Sequence, residues 1–481
     1  MTMPARPRGL GPAANAAARA AFWAVIVLSP FRLRAILIPR DLPPVWHDYT
    51  DLRVFAVDLA LAALLLAWAA SLLAGGPRPA RIGALIAVPA VCLLGLVWVG
   101  VPGSLDPALS AAGALELTGF AGIAWYVATE IRGPHELVLP VAVMVALQSA
   151  IAIIQVATQG SAGLGSLGEI ALDPAASGIS IVASDAGVRL LRAYGLSDHP
   201  NILGGLLAAG LIVIAGSLAN RSAEGLGRRA RVVLAFVAGL GVIALAATFS
   251  RAAWIATVAA ALAAAALEAR GRGGSADRRA GLGTARPWLV LAGGVTLAVA
   301  ALAVPFGPFL AARLGVAAME PAAEIRSIDE RVQVVGATLE VVAANPLLGT
   351  GLGTLPQALA SVPGLPYRPQ PAHLVPLTIA AEDGIPAALT FCLLLVGAVV
   401  TVITTSRRGW LAPGAAGAAL GVIVAMAAVG AFDYYPWVFP AGRTWLAIGV
   451  GAAIGLTGNF AVARGSAPSA SPRGKPEGQG A

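Results

Sequence analysis

The chain has 481 residues, of which 58% are hydrophobic and only 12% charged; its mean hydropathy is +0.81 and its formal net charge +8. A soluble protein of that length carries roughly twice that share of charge, so a water-soluble domain is excluded, and the lack of short alternating segments excludes a membrane barrel. The excess charge consists of arginines in short loops between apolar runs, a pattern set by membrane orientation and not by nucleic acid.

Windows of about 20 uncharged residues recur along the chain, the length that crosses a bilayer core as helix. Lipid gives backbone amides no other partner, so these windows are helices. They fall at roughly 20–39, 53–74, 80–99, 107–129, 136–157, 201–219, 231–249, 251–268, 287–305, 386–405, 411–432 and 443–461. The fold class is all-α: a polytopic transmembrane helix bundle of about 12 spans over 20–461, between an N-terminal segment 1–19 and a Pro/Ser/Gly-rich tail, 462–481, expected to be disordered. Arg6, Arg8 and Arg19 precede the first window as in a signal peptide. Pro30-Phe31-Arg32-Leu33-Arg34 then follows without a small-residue cleavage site, which predicts an uncleaved anchor. Arg32 and Arg34 fall inside that window and would have to snorkel or face protein. Asp58 and Glu116 lie within later windows and are expected to face the protein interior or a cavity. Cys92 and Cys392 sit in apolar runs, as small core residues rather than a disulfide or metal pair. His47 and His135 sit in loops without evident partners.

Alternate loops separate by charge. Arg78, Arg81, Arg132, Arg221, Arg228, Arg229, Arg231, Arg270–Arg286, Arg407, Arg408 and the tail with Arg464, Arg473 and Lys475 form one set, which the positive-inside rule makes cytoplasmic together with both termini. The other set, 40–52, 100–106, 158–200, the tight Ser250-Arg251 turn, 306–385 and 433–442, then faces outward. The largest member, 306–385, separates spans nine and ten as one large extracytoplasmic loop.

Four polar stretches share that outer face. Arg192-Ala-Tyr-Gly-Leu-Ser-Asp-His199-Pro200-Asn201 leads into a span, with Pro200 suited to a first helical turn and Ser197 or Asp198 to its cap. A helix start beside an arginine suits an anion. Thr248-Phe249-Ser250-Arg251 joins two spans with almost no loop, and Arg251 taken alone reads as an interfacial anchor rather than a site residue. Ser327-x-x-Glu330 is a capping-box pattern followed at once by Arg331. Val332, Val335, Leu339 and Val342 repeat on one helical face, predicting a helix to Asn345 against protein or the membrane surface. Arg331 would then occupy its first turn, where the helix dipole disfavours a cation. His373 through Glu382, Gly384 and Pro386 closes the loop. Gly349-Thr350-Gly351-Leu352-Gly353 lacks the strand–turn–helix context of a nucleotide loop and reads as a turn.

Over roughly 190–445 these residues resemble the O-antigen ligase/polymerase superfamily, membrane proteins of twelve or so spans with one large external loop. The resemblance rests on Arg192 with Pro200-Asn201; Ser250-Arg251; Arg331 followed by Asn345-Pro346-Leu347-Leu348-Gly349-Thr350-Gly351; His373 with Glu382 and Gly384; and Asp433 before Arg443. Leu374 departs from the pattern, which has Asn after the histidine. The resemblance implies a glycosyltransferase of the bacterial cytoplasmic (inner) membrane, taking a glycan from an undecaprenyl-diphosphate carrier on the outer side. The acceptor hydroxyl belongs to lipid A-core for a ligase, to another glycan for an O-antigen or exopolysaccharide polymerase, and in some relatives to a protein. The partners implied are therefore the lipid-linked donor, the acceptor and membrane lipid, with no nucleic acid and no cofactor.

The residues fit that chemistry. A diphosphate leaving at the membrane surface gathers negative charge, usually met by a divalent metal on paired carboxylates. The outer loops hold no such carboxylate cluster, so no metal is expected and Arg192, Arg251 and Arg331 would supply charge through forked guanidinium groups. His373 is the expected base for the acceptor hydroxyl, oriented by Glu382 unless that residue caps the next helix, and His199 is the second choice. Arg192, His199, Asn201, Glu382 and Asp433 make up the expected substrate-binding set around catalytic His373, Arg331 and Arg251. A transporter of a small anion or lipid-linked substrate is the rival of another class. It would show inverted repeats, broken helices and charges at mid-membrane; most polar residues of note here lie at one face, which argues against it, although the intramembrane Asp58 and Glu116 keep it open.

Overall fold

The computed structural model describes residues 10–184, 187–220, 226–270, 275–314, 322–364, 368–407 and 414–465. The chain opens with helix α1 (Leu10–Leu28), strands β1 (Arg34–Ile38) and β2 (Leu52–Phe55), then α2 (Ala56–Leu73), α3 (Ala84–Gly100), α4 (Pro107–Glu130) and α5 (Pro134–Thr158). Strands β3 (Ile181–Ala183) and β4 (Arg189–Leu191) precede α6 (Pro200–Ala219), α7 (Arg228–Ala247), α8 (Arg251–Arg270) and α9 (Ser275–Ala301). Next come α10 (Ala303–Leu314), α11 (Ala322–Ala344), α12 (Leu355–Ala360) and α13 (Val375–Asp383). The chain finishes with α14 (Ile385–Ser406), α15 (Ala415–Gly430), α16 (Tyr435–Val438) and α17 (Pro440–Gly465).

Among the described residues, ten helices are long and apolar enough to cross a membrane; α15, at 16 residues, is shorter. Helix α6 is the axis, with nearly every residue buried against α5, α7, α8, α9 and α15. Small residues permit the close approach: a Cβ on Gly205 would fall 1.6 Å from the Tyr435 hydroxyl of α16.

The expected first span is displaced. Helix α1 takes in residues 10–19, assigned above to a separate cytoplasmic segment, and stops at Leu28 rather than 39. Pro30 disfavours helix in the residue before it, and the Ser29 hydroxyl turns back to donate to the Ile26 carbonyl at 2.9 Å. Arg32 and Arg34 consequently lie outside the helix, where both pair with Asp198 (2.6 and 2.7 Å) and Arg34 also with Asp48 at 2.5 Å. Neither has to snorkel. At the other end α17 continues to Gly465, and the tail from 466 lies outside the described residues, as do residues 1–9.

Two antiparallel pairs, β1–β2 with Arg34 opposite Phe55 and β3–β4 with Ile181 opposite Leu191, qualify the all-α expectation. Both are too short to show a two-residue period in the sequence.

The expected external loop 306–385 is built largely of helices α10 to α13. Helix α11 begins more than a turn before Ser327, so Ser327-x-x-Glu330 does not open it. Arg331 lies more than two turns inside, so the expected dipole penalty vanishes. Its inward face carries Val334, Ala337, Thr338 and Val341, while Val332 and Leu339 of the expected face point outward. Gly349 and Gly351 form a left-handed turn (φ 64° and 107°), and the Gly351 amide donates to the Glu382 carbonyl at 2.6 Å. A Cβ on Gly349 would lie 2.3 Å from that carbonyl carbon, so glycine is required where the turn crosses α13.

Asp58 and Glu116 have partners within the fold. Asp58 accepts from the Phe55 amide at 2.8 Å, capping α2, and Glu116 pairs with Arg443 of α17 at 3.1 Å. His135 lies in the first turn of α5 rather than in a loop.

Candidate functional site

At one end of the bundle, residues from 32–49, 170–202, 312–331, 370–373 and 433–439 surround a cavity of about 610 Å³. That volume suits a small-molecule or sugar site. Another cavity, of about 40 Å³ and lined by side chains such as Leu137, Val422 and Ile448, is apolar and too small for a sugar. Six of the expected residues line the large cavity: Arg192, His199, Asn201, Arg331, His373 and Asp433. Arg251 and Glu382 do not.

Arg192 is nearly buried at the end of β4, donating to the Thr248 carbonyl (2.7 Å), the Ser180 hydroxyl (2.7 Å) and Asn201 Oδ1 (2.6 Å). Asn201 passes the connection on, its Nδ2 donating to Asp433 Oδ2 at 2.8 Å, while the other Asp433 oxygen accepts from the Tyr434 amide at 2.8 Å. Arg192 and Asn201 therefore fix the orientation of Asp433 as well as forming part of the wall. The physical reason is local: Pro200 starts α6, and His199 caps it by accepting the Asn201 amide on Nδ1 at 3.1 Å. Ser197 and Asp198, the caps expected from sequence, do not fill that place; Asp198 answers Arg32 and Arg34 instead.

That cap also sets the two histidines apart. Burial, then Arg192 and His373, hold His199 well below the ordinary imidazole range, so it is neutral. Its Nδ1 lone pair is taken by the backbone, which leaves the proton on Nε2 as a donor. His373 differs: its Nδ1 is buried without a hydrogen-bond partner among the described residues, and its ring packs edge-on against Tyr434 at 4.9 Å between centroids. Burial lowers its pKa, Asp433 raises it and Arg331 lowers it, with the balance at about 4. At neutral pH His373 is an uncharged imidazole, able to accept a proton.

Glu382 does not orient His373. It stands at the far end of α13, roughly 12 Å of helical rise away. There its Oε2 accepts from Trp437 Nε1 at 3.3 Å, and its backbone carbonyl accepts from the Gly351 amide. Burial raises its pKa to about 7, so it works as a buried tie between α13, the glycine turn and α16. The carboxylate whose charge raises the His373 pKa is Asp433.

Arg251 is likewise displaced from the cavity wall. Its Nη1 donates to the Arg313 carbonyl at 2.7 Å, and Arg313, which does line the cavity, donates from Nε to the Phe249 carbonyl at 2.9 Å. The tight turn makes this possible because Phe249 takes a left-handed φ of 49°, bringing α7 and α8 together without a loop. The cationic wall thus consists of Arg192, Arg313 and Arg331, beside Arg32.

Sequence reasoning missed Arg313, Tyr434 and the segment around Tyr49. Arg313 was hidden because 306–385 read as loop rather than helix. Tyr434 adjoins Asp433, and its hydroxyl shares a 2.8 Å hydrogen bond with that of Tyr49; burial raises the pKa of both, so the pair stays protonated. Nothing local in 40–52 signals a site; the β1–β2 hairpin brings it there.

Residues 234–392, from α7 into α14, match the family model described as O-antigen ligase. Over that stretch the chain is O-antigen ligase-like. It is similar there to membrane glycosyltransferases of the O-antigen ligase/polymerase type, which in general work on a lipid-linked glycan and a glycan acceptor. The matched stretch holds Arg251, Arg313, Arg331, His373 and Glu382, but not Arg192, Asn201, Asp433 or the 32–49 wall. No curated protein matches the chain.

Proposed function

We propose that the protein transfers a glycan from an undecaprenyl-diphosphate carrier to an acceptor hydroxyl at the outer face of a bacterial cytoplasmic membrane, as an O-antigen ligase does. The observation that carries this reading is His373, whose buried Nδ1 has no hydrogen-bond partner among the described residues, in a cavity that Arg331, Arg192 and Arg313 also line. Arginine forks neutralise the diphosphate as the anomeric C–O bond breaks. His373 takes the acceptor hydroxyl proton as the new C–O bond forms, and that proton ends on the imidazole. Donor binding assists this step, since the diphosphate charge offsets Arg331 and raises the basicity of the nearby imidazole. One displacement without a covalent intermediate inverts the anomeric configuration. Arg192 and Asn201 act by holding Asp433 toward the base, and His199 donates from Nε2.

The test is direct: purified full-length protein is given a lipid-diphosphate-linked glycan with candidate acceptors, and transfer is followed with its anomeric configuration. Turnover to an inverted product supports the reading; none with any acceptor favours the transport alternative. A deletion strain then separates the two enzyme types. Loss of a ligase leaves bare core lipid with polymer still on the carrier, whereas loss of a polymerase leaves core bearing a single repeat.

A further inference from the structure

One wall of the cavity comes from chain outside the matched 234–392 stretch and has chemistry unlike the arginine wall. Trp46, Asp48 and Tyr49 reach it from the connection between β1 and β2. Gln370 and Glu330 lie beside them, joined by a 2.7 Å hydrogen bond from the Gln370 amide. Trp46 is the unusual member. It is 43% exposed while lining a cavity. The Arg368 guanidinium, 5.5 Å from the ring centroid, backs one face. A flat, partly open indole costs little to order, and it attracts the weakly positive C–H face of a pyranose as it does the edge of another ring. Carboxylate and amide oxygens around it suit the hydroxyls along the sugar's edge.

Position indicates which sugar. Tyr49 is bonded to Tyr434, and Tyr434 packs against His373, so this wall is continuous with the base rather than with the guanidinium groups of Arg192 and Arg313. The hydroxyl that gives its proton to the base belongs to the acceptor. Resting on the transfer reading above, we propose that Trp46, with Asp48 and Gln370, forms a subsite for a pyranose ring of the acceptor glycan. The β1–β2 connection then selects the acceptor, while the family-matched stretch carries the base and two of the wall arginines.

The test uses detergent-solubilised full-length protein and saturation-transfer NMR with methyl gluco-, galacto- and mannopyranosides, and sorbitol as an open-chain control. Magnetisation is expected to reach ring C–H protons of at least one pyranoside and not sorbitol, with Trp46→Phe retaining about half of the signal. Trp46→Ala should bind at least about fivefold more weakly, the scale of one lost aromatic contact. The indole is partly exposed and, among the described residues, its ring contact is with Arg368, so the variant should remain folded, which its melting temperature checks. Equal signals from wild type and Trp46→Ala, equal signals from sorbitol, or no pyranoside signal from wild type would overturn the subsite. Pyranoside binding that depends on Trp46, in a protein that cleaves no lipid-linked donor, would instead overturn the transfer reading and leave the sugar site standing.

Discussion

Arg251 and Arg313 clasp each other's surroundings: Arg251 Nη1 holds the Arg313 carbonyl at 2.7 Å, and Arg313 Nε holds the Phe249 carbonyl at 2.9 Å. The clasp fixes the end of α10 against the α7–α8 turn and presents Arg313 to the cavity. Arg251→Ala should therefore lower stability by about 1–3 kcal/mol through the orphaned Arg313 carbonyl and raise donor KM more than it lowers kcat. Thermal unfolding and donor titration check this. A collapse of kcat at unchanged stability would show that Arg251 touches the diphosphate itself.

His373→Ala should cost about 10²–10⁴ in transfer rate while the protein still inserts and folds. Because His373 is held at about 4 rather than near 6.5, the neutral base persists well below neutral pH. In the wild type, kcat/KM should stay level as pH falls from neutral and then drop through about 4 as the imidazole takes up a proton. A rate profile across pH 3–8 reads this; an acid limb near 6.5 would remove His373 from the role.

The two charges beside His373 act in opposite senses. Removing the cation in Arg331→Met should move the acid limb to higher pH, and removing the anion in Asp433→Asn should move it lower. Arg331→Lys keeps the charge but cannot fork onto two phosphate oxygens, so it should restore the pH profile without restoring the rate. Profiles of the three variants, measured side by side, distinguish base tuning from phosphate contact.

Gly351→Ala should be poorly tolerated. Its Cβ would meet the Ser104 hydroxyl oxygen at 1.9 Å in addition to the strain of φ 107°. Gly364→Ala, at φ 78° in open space, carries the backbone strain alone, on the order of 1 kcal/mol. Melting temperatures in detergent should rank Gly351→Ala well below Gly364→Ala; equal values would mean that the turn yields easily.

Transfer should survive chelation, since arginines carry the diphosphate charge in the proposed mechanism. Assays in excess EDTA, with and without added Mg²⁺, test this. A strict requirement for the metal would overturn the arginine mechanism.

Much of the fold could be read in advance because hydrocarbon length and backbone satisfaction constrain each span locally. The windows at 107–129, 136–157 and 201–219 agree with α4, α5 and α6 to within a residue or two. The first window failed where Pro30 outweighed average hydropathy, and Ser327-x-x-Glu330 failed because a capping pattern has no force inside a helix that has already begun. At the cavity, sequence picked out His373, Arg331, Asp433 and Asn201. It could not say that Asn201 serves Asp433, that Glu382 serves the glycine turn, or that Arg313 stands where Arg251 was expected.

The chain alone determined that this is a membrane bundle and which residue types were available for transfer chemistry, because span length, arginine placement and motif order are local properties. The tertiary structure alone decided which of two histidines keeps a ring nitrogen without a hydrogen-bond partner among the described residues, which carboxylate raises its pKa, and that residues 46–49 share its cavity. Those outcomes depend on hydrogen-bond partners and burial contributed by segments as far apart as Tyr49 and Tyr434, and no short window of sequence contains both.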